Sequence, residues 1–193
     1  MISNYTREQA FKLSTQTIKP LDLTTHLPFR VAVVSNLLAL NRDWEIRELC
    51  DLEPREIRVL LNIGSYMPIK AADIAYQSRI DSYNVSRAVK ALSSKELINI
   101  VPDSYSKNIK YLTLNEKGQE LYQQISSAIS HRATELESVL THEELKSFYS
   151  ILEKIEDKSE QLLAQQAIKK IDKGHTPPAD QKELIRWYRK RNG

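Results

Sequence analysis

Apolar positions spaced three and four residues apart recur through most of this chain and predict a mainly helical fold. Over residues 27–44, two such series run side by side, one beginning at Leu27 and one at Val33. Two series give a helix an apolar face wider than a single core contact uses. A second chain that packs on this helix would bury the wide apolar face, and so would a central position of the helix in a monomer. We favour a second chain.

Two shorter helices are predicted next. Residues 54–64 begin with a proline that fits a first helical turn and end with a glycine that predicts the end of the helix. A short helix is predicted over 70–76. Both carry apolar side chains on one face, so they are predicted to share a core.

A third helix and a hairpin follow. Asp81 or Ser82 caps a helix predicted over about 82–95. Residues 97–101 and 109–114 predict two β-strands, which a polar loop joins as a hairpin. The residues predicted on the buried side of the helix are Val85, Val89 and Leu92.

Long helices are predicted after the hairpin. Asn115 caps the first of them. Thr141 and Glu144 have the spacing of a capping box, so a second helix begins there and continues to Leu162. A last, basic helix is predicted after Pro178. The predicted fold is therefore mainly α with one small β-hairpin.

Composition restricts the class of protein. Of 193 residues, 41% are hydrophobic and 27% are charged, which is typical of a globular protein. The single cysteine, Cys50, excludes a disulfide framework and a cysteine-clustered zinc site. No apolar run approaches the roughly 18 residues of a membrane span, and the first residues lack the form of a signal peptide. We therefore expect a cytoplasmic protein with no membrane partner.

Enzyme chemistry finds no support in the residues. Four glycines leave little material for a phosphate-binding loop, and the four histidines have no ligand-like spacing. The neighbouring Glu143 and Glu144 fit the electrostatics of a first helical turn better than acid–base chemistry. We expect no catalytic residue, no metal and no cofactor.

Charge is distributed unevenly along the chain. Residues 79–110 hold six Lys or Arg and three Asp or Glu, a net charge of +3, whereas residues 115–168 hold five and ten, a net charge of −5. Residues 169–193 carry eight and three, a net charge of +5. This fits one face set against an anionic partner, and it also fits solvated charge without a partner.

Residues 70–114 predict the order helix, turn, helix and hairpin, which is the layout of a helix-turn-helix motif with a wing. The 100° step of the second helix places a polar and cationic face opposite its buried side. Arginine bonds guanine, asparagine bonds adenine and lysine reaches phosphate, so this face suits a major groove. The residues predicted to contact DNA are Ser82, Tyr83, Asn84, Ser86, Arg87, Lys90 and Ser94 in the helix, with Lys107, Asn108 and Lys110 in the hairpin.

Four segments carry a family resemblance: 52–61, 80–92, 95–98 and 112–118. The most specific parts are Val85-Ser86-Arg87 and the turn Leu-Asn-Glu-Lys-Gly that ends the last segment. With the flanking helices, they make residues 25–165 similar to the multiple-antibiotic-resistance regulator (MarR) family of winged-helix transcription factors.

The resemblance implies a winged helix-turn-helix lobe at about 52–114 and long N- and C-terminal dimerisation helices at about 27–44 and 115–165. It implies a homodimer that binds a pseudo-palindromic operator in double-stranded DNA. It also implies that a small effector, often an aromatic acid or another anionic compound, weakens DNA binding. We expect a repressor that such an effector releases from its operator. Residues 1–24 and 166–193 are extensions beyond the family core.

Several residues leave two explanations open. His26 and Arg30 are candidate partners for an effector carboxylate, or they form ion pairs at the surface or between subunits. Cys50 is a buried structural thiol or an oxidant sensor, and we favour the structural thiol. The basic C-terminal extension contacts DNA, packs on a partner subunit, or ends as a frayed segment.

Two departures from the family pattern bear on the DNA-binding lobe. Lys107 and Asn108 stand where arginines are common in the wing, so the resemblance favours phosphate contact there. Glu96 replaces a glycine that is common after the recognition helix, which predicts a reshaped turn. The alternative function is a winged-helix adaptor that binds protein and not DNA; such a protein would expose apolar side chains in place of Arg87 and Lys90.

Overall fold

The computed structural model describes residues 12–106 and 108–192. The chain divides after Arg47 into two units, residues 1–47 and 48–193. The division falls inside the predicted 25–165 domain, whose bounds stay a prediction. Among the described helices, none combines the length and apolar character that crossing a membrane requires.

The first unit contains a break where the sequence predicts one helix over 27–44. Helix α1 covers Leu27–Leu38 and is followed by a single 3-10 turn, Leu40–Arg42. Helix α2, Trp44–Leu49, starts anew because the Asp43 carboxylate accepts the Glu45 amide at 3.1 Å. A short polar side chain that bonds nearby amides favours a new helix start over continuation, so the prediction of one helix is wrong.

The second unit confirms a mainly α fold with a small β-hairpin. Strands β1 and β2 are antiparallel, with Ile98 opposite Leu114 and Pro102 opposite Lys110. The elements in chain order are α3 (Pro54–Tyr66), α4 (Ala71–Ser78), α5 (Ser82–Ser94), β1 (Ile98–Pro102), β2 (Lys110–Leu114), α6 (Glu116–Glu137), α7 (His142–Asp172) and α8 (Ala179–Asn192).

The core of the winged lobe lies where α3, α4 and α5 meet the hairpin. Helix α5 contributes Val85, Ala88 and Leu92, all of which are buried, whereas Val89 is half-buried. Ala88 therefore takes the place that the sequence pattern predicts for Val89. Each buried Val or Leu side chain adds about 1.5–3 kcal/mol of transfer free energy. The other core residues include Ile57, Leu60, Ile63, Ile74 and Leu112.

Gly64 does not end α3, which continues to Tyr66. A Cβ atom at position 64 would lie 2.3 Å from Cδ2 of Tyr122 in α6. The hydroxyl oxygens of Ser65 and Tyr122 lie 3.1 Å apart, within hydrogen-bond distance. The glycine therefore lets the Tyr122 ring approach the backbone of α3, which is why it occurs inside a helix.

The predicted caps of the long helices are present. Asn115 Oδ1 accepts the Gly118 amide at 2.9 Å at the start of α6. At the start of α7, Thr141 Oγ1 accepts the Glu144 amide at 3.3 Å, and Glu144 Oε2 accepts the Thr141 amide at 2.8 Å. Hydrogen bonds from the Thr141 amide and hydroxyl hold the pKa of Glu144 below its usual value.

The C-terminal extension is folded. Helix α7 continues past position 165 to Asp172, and α8 packs against it. Ile185 and Trp187 of α8 are buried. The explanation that the basic C-terminal extension ends as a frayed segment is therefore wrong, because α8 buries two apolar side chains.

Glu96 keeps the turn after α5 in the form that a glycine would give it. Its φ of 57° lies in the left-handed region. The Glu96 amide bonds the Ser93 carbonyl at 3.1 Å, and the Leu97 amide bonds the Leu92 carbonyl at 3.0 Å. This pair of bonds is a Schellman motif. The expectation of a reshaped turn is wrong, because these bonds impose the conformation on a residue with a side chain.

Glu96→Gly is expected to raise the free energy of unfolding by about 1 kcal/mol. Left-handed backbone costs a residue with a Cβ about 1–2 kcal/mol, and the added freedom of glycine in the unfolded chain offsets part of that gain. Thermal and urea denaturation followed by circular dichroism measure the change. Ser94→Gly, within right-handed helix, is the control and should lower stability; an equal loss for Glu96→Gly would contradict strain at Glu96.

Candidate nucleic-acid interface

Helix α5 presents a polar and cationic face to solvent. Arg87 and Lys90 are exposed, and Tyr83 is 69% exposed. The Arg87 guanidinium carbon lies 5.8 Å from the centre of the Tyr83 ring, which is a cation–π contact. Since Val85 and Leu92 are fully buried on the other side of the helix, this face is available to a partner.

The start of α5 is fixed by a hydrogen-bond network around Asn84. Asp81 Oδ1 accepts the Asn84 amide at 2.9 Å and Asp81 Oδ2 accepts Asn84 Nδ2 at 2.6 Å. Both bonds hold the pKa of Asp81 below its usual value. Asn84 Oδ1 in turn accepts Nη1 of Arg55 at 2.9 Å. Both ends of the Asn84 carboxamide are thus engaged, and an exposed arginine of α3 is held beside α5.

Ser82 is bonded to the C-terminal helix. Its amide donates to Glu183 Oε2 at 2.8 Å, and its hydroxyl donates to Glu183 Oε1. The Glu183 carboxylate also pairs with Arg186 at 3.0 Å. Within the described part of the chain, both donors of Ser82 are therefore occupied by a carboxylate of α8.

The remaining predicted contacts lie on two elements. Ser86 is exposed on α5, and Ser94, near its end, bonds the Ala91 carbonyl at 2.8 Å. Asn108 and Lys110 are exposed in the hairpin, and Lys107 lies outside the described residues.

Arg55 and Glu183 are absent from the set that the sequence predicts. Arg55 lies 29 positions from Asn84, and Glu183 lies 101 positions from Ser82. No local spacing connects residues so far apart. The only signal in the sequence is the basic character of the last helix, which does not say where that helix packs.

The predicted effector residues lie on α1. His26 caps this helix, because its Nδ1 accepts the Phe29 amide at 3.3 Å, and Arg30 is exposed. Cys50 is half-buried and not fully buried as the structural explanation expects, and its partial removal from water raises the pKa of its thiol. A raised pKa keeps the thiol protonated and weakly nucleophilic, which favours the structural explanation of Cys50 over oxidant sensing.

No family model and no curated protein sequence matches this chain. Solved structures are similar to it. A MarR/EmrR family transcriptional regulator from Acinetobacter sp. ADP1 has a TM-score of 0.67 at 24% identity, over 73% of this chain and 99% of that chain. The PcaV transcriptional regulator from Streptomyces coelicolor, in complex with its natural ligand, has a TM-score of 0.63 at 16% identity, over 74% and 99%. The S. aureus MepR–DNA complex has a TM-score of 0.62 at 20% identity, over 67% and 95%.

Proposed function

We propose that this chain, whose fold is that of the MarR-family transcriptional regulators, binds double-stranded DNA and regulates transcription. The observation that carries the proposal is the exposed cationic face of α5, the second helix of a helix-turn-helix, with Arg87 and Lys90 opposite a buried apolar side. The similar S. aureus MepR structure is a complex with DNA, which supports the same class of partner here.

Each exposed residue has a role that its chemistry suggests. Arg87 bonds the edge of guanine, and Lys90 binds phosphate. Tyr83 lies in cation–π contact with Arg87 and helps to orient its guanidinium. The bonded Asn84 carboxamide orients Arg55 toward the backbone of the DNA, so Asn84 acts through Arg55. The remaining predicted contacts, to phosphate or to base edges, are Ser86, Ser94, Asn108, Lys110 and Lys107.

A homodimer is part of the proposal. Large apolar side chains stay exposed on α1 and on α6 and α7, and such surfaces mark interaction sites. Two copies would set their recognition helices about one DNA turn (roughly 34 Å) apart on a pseudo-palindromic operator. The exposed apolar residues include Leu27, Val31, Val34, Leu37 and Leu38 on α1, and Leu136, Phe148, Ile151, Leu152, Leu162 and Leu163 on α6 and α7.

Repression with release by a small effector completes the proposal. The PcaV regulator, similar in fold, is in complex with its natural ligand. An effector that binds one spacing of the two lobes more tightly than another would shift the dimer away from DNA. Arg30 is the exposed candidate for an aromatic acid, whereas His26 is engaged in capping α1.

Arg87→Ala is expected to weaken binding about ten- to hundred-fold and to relax base preference at one position, because one base contact is worth about 1–3 kcal/mol. Lys90→Ala should weaken binding to all sequences and reduce the salt slope by about 1 for each protomer. The probe is the duplex that the wild-type chain selects from a random pool, titrated by fluorescence anisotropy at several salt concentrations.

Lys146→Ala, which removes an exposed charge from α7, is the matched control and should leave affinity unchanged. If Arg87→Ala and Lys90→Ala both retain the affinity and salt slope of the control, α5 is not the DNA-binding element. The adaptor function would then replace the proposal, as it would if the wild-type chain selected no duplex.

A further inference from the structure

Helix α8 lies against the beginnings of both helices of the helix-turn-helix. Glu183 bonds Ser82, the first residue of α5. Further along α8, Lys190 Nζ lies 4.0 Å from Asp73 Oδ1 in the first turn of α4. Between these two contacts, the Trp187 ring packs edge-on against a tyrosine of α4. Helix α8 thus runs along α4 from the start of one helix to the start of the other.

The position of α8 is fixed on a second side as well. Arg191 forms an ion pair with Asp157 of α7. The rings of Trp187 and Tyr76 lie 6.3 Å apart at 72°, and the Arg79 guanidinium carbon lies 5.7 Å from the Trp187 ring centre. Aromatic, cationic and ionic contacts together hold α8 to both α4 and α7.

A row of three cations on α8 takes no part in this anchoring to α4 and α7. Positions i, i+4 and i+7 lie on one helical face, and here that face carries Lys182, Arg186 and Arg189, which we name the α8 ridge. All three are exposed, and Arg186 is 62% exposed in its side chain. By the 100° step, the ridge borders the side of α8 that carries Glu183 and touches α5.

The ridge has little acidic compensation. Among the described residues, no carboxylate forms an ion pair with Lys182 or Arg189, and Arg186 pairs with Glu183, which is already bonded to Ser82. Cations that are not neutralised by a carboxylate of the protein attract an anionic partner. The charge of the ridge itself therefore favours a polyanion.

We infer that the α8 ridge is a second DNA-contact surface, which binds backbone phosphates beside the groove that α5 enters. The inference rests on the proposed function. In a helix-turn-helix, the start of the recognition helix enters the major groove and the preceding helix crosses the backbone. Because α8 is anchored at the starts of both helices, its ridge lies beside the phosphates that border this groove.

The test is a double variant, Lys182→Ala/Arg189→Ala, which spares the anchoring residues. Each lost phosphate contact reduces the salt slope by about 0.9. We expect a slope less steep by about 2 for each protomer, an affinity about tenfold or more lower, and an unchanged base preference. The probe is the duplex selected by the wild-type chain, flanked by extra base pairs and titrated against salt.

The matched control is Lys146→Ala/Lys169→Ala, which removes two exposed charges from α7. The inference is overturned if the ridge variant keeps the wild-type slope and affinity, or binds more tightly because α8 obstructs DNA. If Arg87→Ala still has weakened DNA binding, such a result overturns only the inference about the ridge and leaves the proposed function unchanged. If Arg87→Ala also binds DNA like wild type, both the inference and the proposed function are wrong. In hydroxyl-radical footprints, the ridge variant should lose protection only at the deoxyriboses of the flanking backbone.

Discussion

Gly118→Ala is expected to destabilise the winged lobe by about 3 kcal/mol, at the upper end for an overpacked core position. An added Cβ would lie 2.0 Å from the Leu97 carbonyl oxygen and 3.0 Å from its carbonyl carbon. That carbonyl accepts the Asn115 amide at 3.3 Å, and Leu97 itself is buried. The backbone at Leu97 and the backbone at the start of α6 are held together by this hydrogen bond and by burial. An added Cβ would therefore displace α6 or the start of the hairpin.

Thermal and urea denaturation check this expectation, and about 3 kcal/mol corresponds to roughly 6–12 °C in Tm for a chain of this size. Glu120→Ala is the control, since it introduces alanine at an exposed position of the same helix. Because α5 ends beside Leu97, the DNA binding that we propose for α5 should fall with stability for Gly118→Ala. A variant as stable as Glu120→Ala would show that the glycine is not needed for close approach.

The local signals in the sequence are those that predict the fold well. The caps Asp81, Asn115 and Thr141 all bond an amide three positions ahead, so their spacing alone predicts where α5, α6 and α7 begin. The buried side of α5 follows from the helical period in the same way. Capping and periodicity need no knowledge of the rest of the chain.

Other features of the fold depend on tertiary contacts with residues that are distant in the sequence or on hydrogen bonds around the residue. Gly64 has the appearance of a helix end, and only the ring of Tyr122 from α6 explains it as a close-approach position within α3. Glu96 departs from the usual glycine, yet hydrogen bonds around it keep the left-handed turn. In both cases tertiary contacts override the local preference of the residue.

The candidate site is divided between these two kinds of information. The exposed face of α5 with Arg87 and Lys90 follows from periodicity. The attachment of Ser82 to Glu183 does not, because it joins residues 101 positions apart through a helix beyond the family-like region. The sequence therefore predicts which side of α5 is exposed, but not which groups form hydrogen bonds with its first residue.

Arg79→Ala is expected to destabilise the second unit by about 3 kcal/mol, because it leaves a buried carboxylate without its counter-charge. Glu160 is 5% exposed, and Arg79 Nη2 lies 2.7 Å from its Oε2. Neither oxygen of Glu160 has an aligned hydrogen bond within the described chain, so the ion pair is its compensation. Arg79 Nε also bonds Glu156 at 3.0 Å, and its guanidinium lies 4.4 Å from the Tyr76 ring centre.

Two further variants separate the charge from the backbone. Arg79 has a φ of 52°, so Arg79→Gly relieves left-handed strain while removing the same cation. We expect Arg79→Gly to remain clearly less stable than wild type, since a lost counter-charge outweighs about 1 kcal/mol of relieved strain. Glu160→Gln in the Arg79→Ala background should recover part of the loss, because a buried neutral amide costs less than a buried charge without its counter-charge. If urea denaturation shows no recovery, packing of the Arg79 side chain on the Tyr76 and Trp187 rings, and not the buried charge, holds α7 and α8 to the helix-turn-helix.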